Sequence, residues 1–541
     1  MSEYYTFDCG CKFKILGKTK EFPSIEFKPT LENLNLECSK TWDLISSGNT
    51  KGCFQLESRL GQTMSKKLKP RSIEHLSGLI SILRPGCLEA IRDGKSVSNH
   101  YIDKKNDTET VDYYHPSLKE PLEKSYGEMI YQEQAMEIAR VVSGFNLQEA
   151  DILRKAIGKK KADLMATVRT SFMEGAKKQG VVDQDTAEEI FGWIQKSQRY
   201  SFNKSHAVSY AMNAYLSAYS KAHFPRVFFA SYLKFAKDKI DPQQEIKELV
   251  RNANEMDIVI HTPDIRQLNE LFAIREGKIY FGLTDIKGLG QSVFKKLLKI
   301  IEEGNIKIDK LSWYQMLYKI LANINSTATK ALISCGALDY LKKTRTEMLF
   351  EYDIFTSLTK KEREKTEEII ESGVVPLRQI LTELLTKKVN IKRQAIINSL
   401  IDTIDNPPYS LMDKIEWLSD SENTLLGTSI TCCKLDSYNI DMTNTNCKDF
   451  KRTFKKDDII LAAEIVGVNV TKTKNGKNPG AEMAFVTGED QYGLLDSIIM
   501  FPEVWEKYRP HVFDGNVLIF TGKKSKAKDS LIVDKCFVPK S

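Results

Sequence analysis

Five cations fall within eight positions of the run ADILRKAIGKKK: Arg154, Lys155, Lys159, Lys160 and Lys161. A sparser pair, Lys204 and His206, follows in FNKSHAVSYA. Cations gathered at helix ends are what neutralising a polyphosphate needs, since charge-assisted contacts to phosphate oxygens are strong and short.

The elements that must position them are legible. Asn146 can cap a helix whose first turn carries Glu149, a reciprocal cap pattern, with Ala150, Leu153 and Ile157 on one apolar face. Gly158 is expected to stop that helix, leaving Lys159 to Lys161 beyond it. Arg154 and Lys155 lie off the apolar face. Asp151 is spaced to pair with either, and for this run alone such pairing explains the charges as well as a ligand does.

In the second run Asn203 or Ser205 can cap a helix that ends before Pro225, with Val208, Met212, Tyr215 and Tyr219 as its expected apolar face. Lys204 and His206 then stand at the helix N-terminus, beside open N–H donors and the positive dipole end. A cation is unfavourable there without an anion. This placement favours a phosphate-binding role over a merely exposed lysine and histidine.

The runs GCFQLES at 52–58, ILRPG at 82–86, YGEMIYQEQAMEIA at 126–139, ADILRKAIGKKK at 150–161 and FNKSHAVSYA at 202–211 resemble the bacterial DNA polymerase III alpha subunit, a family C DNA polymerase, in its C-terminal half. The resemblance covers the chain from about Leu44 onward and is most specific from Gly52 to Pro225, which is similar to the family's fingers domain. It implies a replicative polymerase part that binds deoxynucleoside triphosphates through Arg154, Lys155, Lys159, Lys204 and His206 and also holds primer-template DNA.

Composition is compatible with that reading without proving it. The 541 residues leave room for three or four domains, and 41% hydrophobic with 28% charged residues is a globular profile. Lys and Arg number 79 against 72 Asp and Glu, a net +7 that is too mild to indicate nucleic acid alone. Ten cysteines are too few for a disulfide scaffold. Cys9-Gly10-Cys11 lacks two-residue metal spacing and has no matching second pair, so no metal ligand is assigned. No leader and no membrane-spanning run is legible, and a cytoplasmic setting in a bacterium or phage-infected bacterium is expected.

The expected fold is mainly α, multi-domain, with a C-terminal all-β OB-fold barrel. Residues 1–43 are a palm-like remnant or partner interface, and 44–260 the fingers. A tandem helix-hairpin-helix module occupies 261–343. In its core IKGLG, Gly288 and Gly290 let backbone approach a phosphate that Lys287 neutralises; ISCGALDYL at 333–341 is a candidate second hairpin. A helical connector spans 344–450, and the barrel 451–541, with β-rich runs at 459–466, 483–486, 494–501, 517–521 and 531–533. The basic loop TKTKNGKNPG, with Lys472, Lys474 and Lys477, suits single-stranded nucleic acid, and Phe485, Tyr492 and Phe501 are candidate stacking residues.

Paired carboxylates that hold two metal ions are missing. The one Asp-x-Asp, Asp183-Gln184-Asp185, precedes a helix and reads as its cap, so no catalytic residue is assigned. The resemblance implies that two Mg2+ ions sit on a palm-bearing second chain, as in a split, phage-type gene, and adds a sliding clamp to the partners, although no clamp-binding motif is clear. The alternative is a non-catalytic DNA-binding replication accessory derived from such a polymerase.

Overall fold

The computed structural model describes the chain except residues 1–3, 19–22, 28–29, 31–33, 160–161, 198–199, 374–375, 388, 453–457, 474–478, 526–529 and 541. Two compact units divide at Met1–Pro225 and Arg226–Ser541.

The first unit begins with an antiparallel sheet, β1 (Tyr4–Thr6), β2 (Lys12–Lys18) and β3 (Pro23–Ile25), in that order. A small hairpin, β4 (Ile91–Arg92) and β5 (Lys95–Ser96), follows among helices. The organising contact is between helices Ile73–Ile82 and Lys204–His223. The first is buried from Leu76 through Ile82. The second shares a core with it through Ala207, Ala211, Ala214 and Ala218, and small side chains let two helices approach closely. This alanine stripe corrects the expected apolar face. Tyr215 and Tyr219 are buried as expected, whereas Val208 and Met212 are only half-buried because the small residues beside them face the core.

A second core in the same unit joins helices Gln132–Ser143, Leu147–Lys159, Ala162–Gln179 and Gln184–Ser197 around Ile138, Phe172 and Phe191. Asn146 and Glu149 form the expected reciprocal cap: Glu149 N–H donates to Asn146 Oδ1 at 3.0 Å and Asn146 N–H to Glu149 Oε2 at 2.8 Å. Gly158 does not stop this helix, which runs on to Lys159. Glycine lowers helix propensity by only about 1 kcal/mol, which is not enough to break a helix packed through Ala150, Leu153 and Ala156. Asp183 caps as expected, accepting from Thr186 N–H at 2.7 Å.

After helix Pro225–Lys234, the second unit continues with helix Pro242–Glu255 and a small sheet of β6 (Ile260–His261), β7 (Ala273–Arg275) and β8 (Lys278–Tyr280), ordered β6-β8-β7. Helices Gln291–Glu303, Ser326–Ser334, Arg345–Thr356 and Ile415–Leu426 contribute to one large core with it. The chain ends in a closed barrel of β9 (Ile459–Lys472), β10 (Glu482–Asp490), β11 (Gly493–Met500), β12 (Val517–Lys524) and β13 (Leu531–Phe537). Its order is β10-β11-β13-β12-β9, with β11 and β13 parallel and helix Pro502–Tyr508 between β11 and β12. This is OB-like topology, and each expected β-run falls on one strand. Among the described residues no helix is long and apolar enough to cross a membrane.

Candidate functional site

Helix Lys204–His223 is held at its start by a short bridge. Phe202 N–H donates to Ile130 O and Gln132 N–H to Phe202 O, each at 2.9 Å, so the starts of helices Gln132–Ser143 and Lys204–His223 lie side by side. Asn203 is the cap, accepting from His206 N–H at 2.9 Å. Glu133 reaches across from the neighbouring helix, accepting from Asn203 Nδ2 at 2.8 Å and Lys204 N–H at 2.9 Å. Two of the first three N–H groups are therefore already satisfied, one by a carboxylate. Fewer open donors remain for an anion than the sequence suggested.

The cations around this start are placed differently from one another. Lys204 Nζ lies 3.1 Å from Glu74 Oε1 and 5.4 Å from the Tyr131 ring centroid. His206 is exposed, its ring 5.3 Å from Phe202 and 4.1 Å from Tyr210. Arg84, from the ILRPG run, stacks on Phe202 at 3.5 Å. The basic side chains of Arg84, Lys204 and His206 thus gather with the Phe202 and Tyr210 rings at one helix start, a surface able to take phosphate and base together.

Arg154 and Lys155 sit on helix Leu147–Lys159, and both pair with Asp151, at 2.9 Å and 2.8 Å. These contacts, from Lys155 first and then Arg154, hold the Asp151 carboxyl below its usual range. The pairing is the intrahelical one that Asp151 made available, and a triphosphate would have to draw both cations from it. The Lys159 side chain lies outside the described residues.

In the second unit, Lys287, Gly288 and Gly290 form the turn between the short helix Leu283–Asp285 and helix Gln291–Glu303. Gly288 takes φ +94°, which only glycine adopts without strain, and a Cβ there would meet Thr327 Cγ2 at 3.4 Å. Lys287 N–H donates to Leu425 O at 2.9 Å, which fixes the turn while leaving the Lys287 side chain exposed. Lys287, Ser326, Thr327 and Lys330 line a cleft of about 350 Å³ at the start of helix Ser326–Ser334. The second candidate turn is built otherwise. A Cβ on Gly336 would meet Arg345 Nη2 at 2.3 Å, so this glycine makes room for a buried arginine instead of a phosphate.

On the barrel, Phe485, Tyr492 and Phe501 are all exposed, at 37%, 46% and 45%, so none of them is spent in the core. Lys472 is exposed at the end of β9, while Lys474 and Lys477 lie outside the described residues. At the other end of the chain, the reading that assigned no metal ligand considered Cys9 and Cys11 alone. The structure brings Cys38 and His223 to them from distant segments. A third cysteine within reach of the Cys-x-Cys turn was the available signal, whereas a histidine more than 180 residues further on could be found only through the fold.

Residues 14–180 match the family model for the bacterial DNA polymerase III alpha subunit finger domain, and residues 257–348 match a helix-hairpin-helix motif. DNA polymerase III subunit alpha of Aquifex aeolicus is 32% identical over 496 residues, covering 90% of this chain and 38% of that protein. Over these stretches the chain is similar to the bacterial DNA polymerase III alpha subunit. The alpha subunits of Borreliella burgdorferi and Haemophilus influenzae are each 30% identical, over 92% of this chain and 41% of theirs. The chain thus spans about two fifths of the length of these relatives.

Proposed function

We propose that this chain is the nucleotide- and DNA-gripping part of a replicative DNA-directed DNA polymerase. The observation that carries it is the grouping of Lys204, His206 and Arg84 with Phe202 and Tyr210 at one helix start, in a chain similar to alpha subunits over about 90% of its length. Lys204 and His206 meet the triphosphate of the incoming deoxynucleotide, with Arg154, Lys155 and Lys159 as further cations. Neutralising charge that develops at the triphosphate stabilises the transition state more than the ground state. Lys287 and the Gly288–Gly290 turn hold a backbone phosphate of the primer-template duplex, and the exposed barrel aromatics with Lys472, Lys474 and Lys477 take the single strand.

The two-metal carboxylates come from a palm outside these residues, on a second chain, with Mg2+ as the ion; the one Asp-x-Asp of the sequence is the helix-capping Asp183-Gln184-Asp185. Primer extension tests the reading: the chain alone and the complex recovered with its partners are compared with Mg2+ and all four deoxynucleotides. Activity confined to a complex containing a palm-bearing protein supports it. The pairing of Arg154 and Lys155 with Asp151 favours a second reading, a DNA-binding replication accessory without nucleotide dependence. Salt-sensitive DNA binding with no palm partner and no extension would select that one.

A further inference from the structure

We propose that Cys9, Cys11, Cys38 and His223 bind one zinc ion as a closed structural site. The Sγ atoms of the three cysteines and a ring nitrogen of His223 all lie within 4.8 Å of one another. Zinc held about 2.3 Å from sulfur and about 2.0–2.1 Å from nitrogen sets tetrahedral S···N edges of about 3.6 Å and S···S edges of about 3.8 Å. His223 Nε2 stands 3.3 Å from Cys38 Sγ and 3.9 Å from Cys9 Sγ, on either side of that edge. Three soft sulfurs and one imidazole select zinc among the abundant divalent ions, and four protein ligands leave no position for a reacting water.

The surroundings are those of a built site. Cys9 and Cys11 flank Gly10 in the turn between β1 and β2. There Phe7 N–H donates to Cys11 O at 2.9 Å and Gly10 N–H to Phe7 O at 2.8 Å, with Gly10 at φ +82°. The turn aims two sulfurs at one point. Cys38 is the N-cap of helix Ser39–Ser46 and makes no side-chain cap hydrogen bond, its sulfur lying against His223 Nε2 instead. Asn35 Nδ2 donates to Cys11 Sγ at 3.5 Å, the kind of N–H···S contact that supports a metal-bound thiolate.

His223 is 4% exposed, and its ring is packed by Phe7, Phe13 and Tyr219 at centroid distances of 4.8, 5.5 and 4.4 Å. Nδ1 has no hydrogen-bond partner among the described residues, so this packing, not a carboxylate behind the ring, aims Nε2 at the sulfurs.

The ion would tie three segments together: the β1–β2 hairpin, the start of helix Ser39–Ser46, and the end of helix Lys204–His223. That last helix carries Lys204 and His206 at its other end. The site therefore gives the first forty residues a role inside the unit, anchoring the helix that presents those cations.

The test is the zinc content of the full chain purified without chelator, measured by inductively coupled plasma mass spectrometry. The expected result is about one zinc per chain, together with thiolate-to-cobalt charge transfer and tetrahedral d–d bands on Co2+ substitution. Cys38→Ser and His223→Phe should each lose the ion, His223→Cys should keep it by restoring a fourth ligand, and Cys432→Ser, which is not a member of the cluster, should not change it. The wild-type measurement stands without any variant. A reduced chain that takes up no zinc when offered it, a Cys9–Cys38 or Cys11–Cys38 disulfide in its place, or zinc retained in both Cys38→Ser and His223→Phe would overturn the proposal.

Discussion

Lys204 Nζ lies 3.1 Å from Glu74 Oε1, so the cation best placed for a triphosphate is held by a carboxylate. Both side chains are about one third exposed, at 32% and 35%, and a pair of that kind contributes about 1 kcal/mol or less. A triphosphate bound there, as proposed above, would outcompete it. The two partners should therefore act in opposite directions in primer extension by the assembled complex. Lys204→Ala lowers kcat/KM for deoxynucleotide by about tenfold or more, equivalent to about 1.4 kcal/mol, while Glu74→Gln raises it by a few-fold. Movement of both in the same direction would show that Lys204 does not meet the nucleotide.

The hairpin makes a separable claim about DNA. Lys287→Ala should weaken duplex binding to a similar degree for any sequence and reduce the dependence of log K on log salt by about one, the signature of one lost phosphate contact. Gly288→Ala places a side chain at φ +94° and closes the turn toward Thr327, so it should also weaken binding. Fluorescence anisotropy over a salt series reads both. An unchanged salt slope in Lys287→Ala would remove this lysine from the interface.

Arg345 is a stability determinant. It is buried, donating to Glu422 Oε1 at 2.8 Å, Asp339 Oδ2 at 2.7 Å and Ser334 O at 3.0 Å. Glu422, also buried, accepts in turn from Thr431 N–H at 2.9 Å. Removing one partner of such a network leaves an uncompensated charge, so Arg345→Met should cost about 3–5 kcal/mol. Urea denaturation followed by circular dichroism should show an early loss of helix; a midpoint shift equivalent to less than about 1 kcal/mol would mean the network contributes little.

Local rules read from the sequence survived where they were local. The Asn146–Glu149 cap, the Asn203 cap, the five barrel strands and the Gly288 turn each depend on a few adjacent residues, and each is present. What was lost depended on other segments. Glu133 fills the anion position at the Lys204–His223 helix start from another helix. Gly336 makes room for Arg345, and the alanine stripe is dictated by the buried helix Ile73–Ile82. The Cys9, Cys11, Cys38 and His223 cluster draws on three separate segments of the chain, and spacing rules that expect paired ligands pass over it.

Asp285 gives the hairpin a pH dependence. It lies in the short helix before Lys287, its Oδ2 enclosed without a hydrogen-bond partner among the described residues. Burial pushes its carboxyl up to about 7 from the ordinary 3.8, with the Gly282 backbone contact and Lys237 opposing. The folded state then holds this proton more tightly than the unfolded chain between about pH 4 and pH 7. Stability contributed here is full below the unfolded value and falls as pH rises to about 7, then levels off. Asp285→Asn, which cannot ionise, should be no more stable than wild type at pH 4 and more stable at pH 8, by on the order of 2 kcal/mol. Hydrogen exchange of the Leu289 and Phe294 amides reports this locally in the intact chain, and comparing variant with wild type at the same pH cancels the intrinsic rate. An equal variant-to-wild-type difference at pH 4 and pH 8 would show that Asp285 does not titrate in this range.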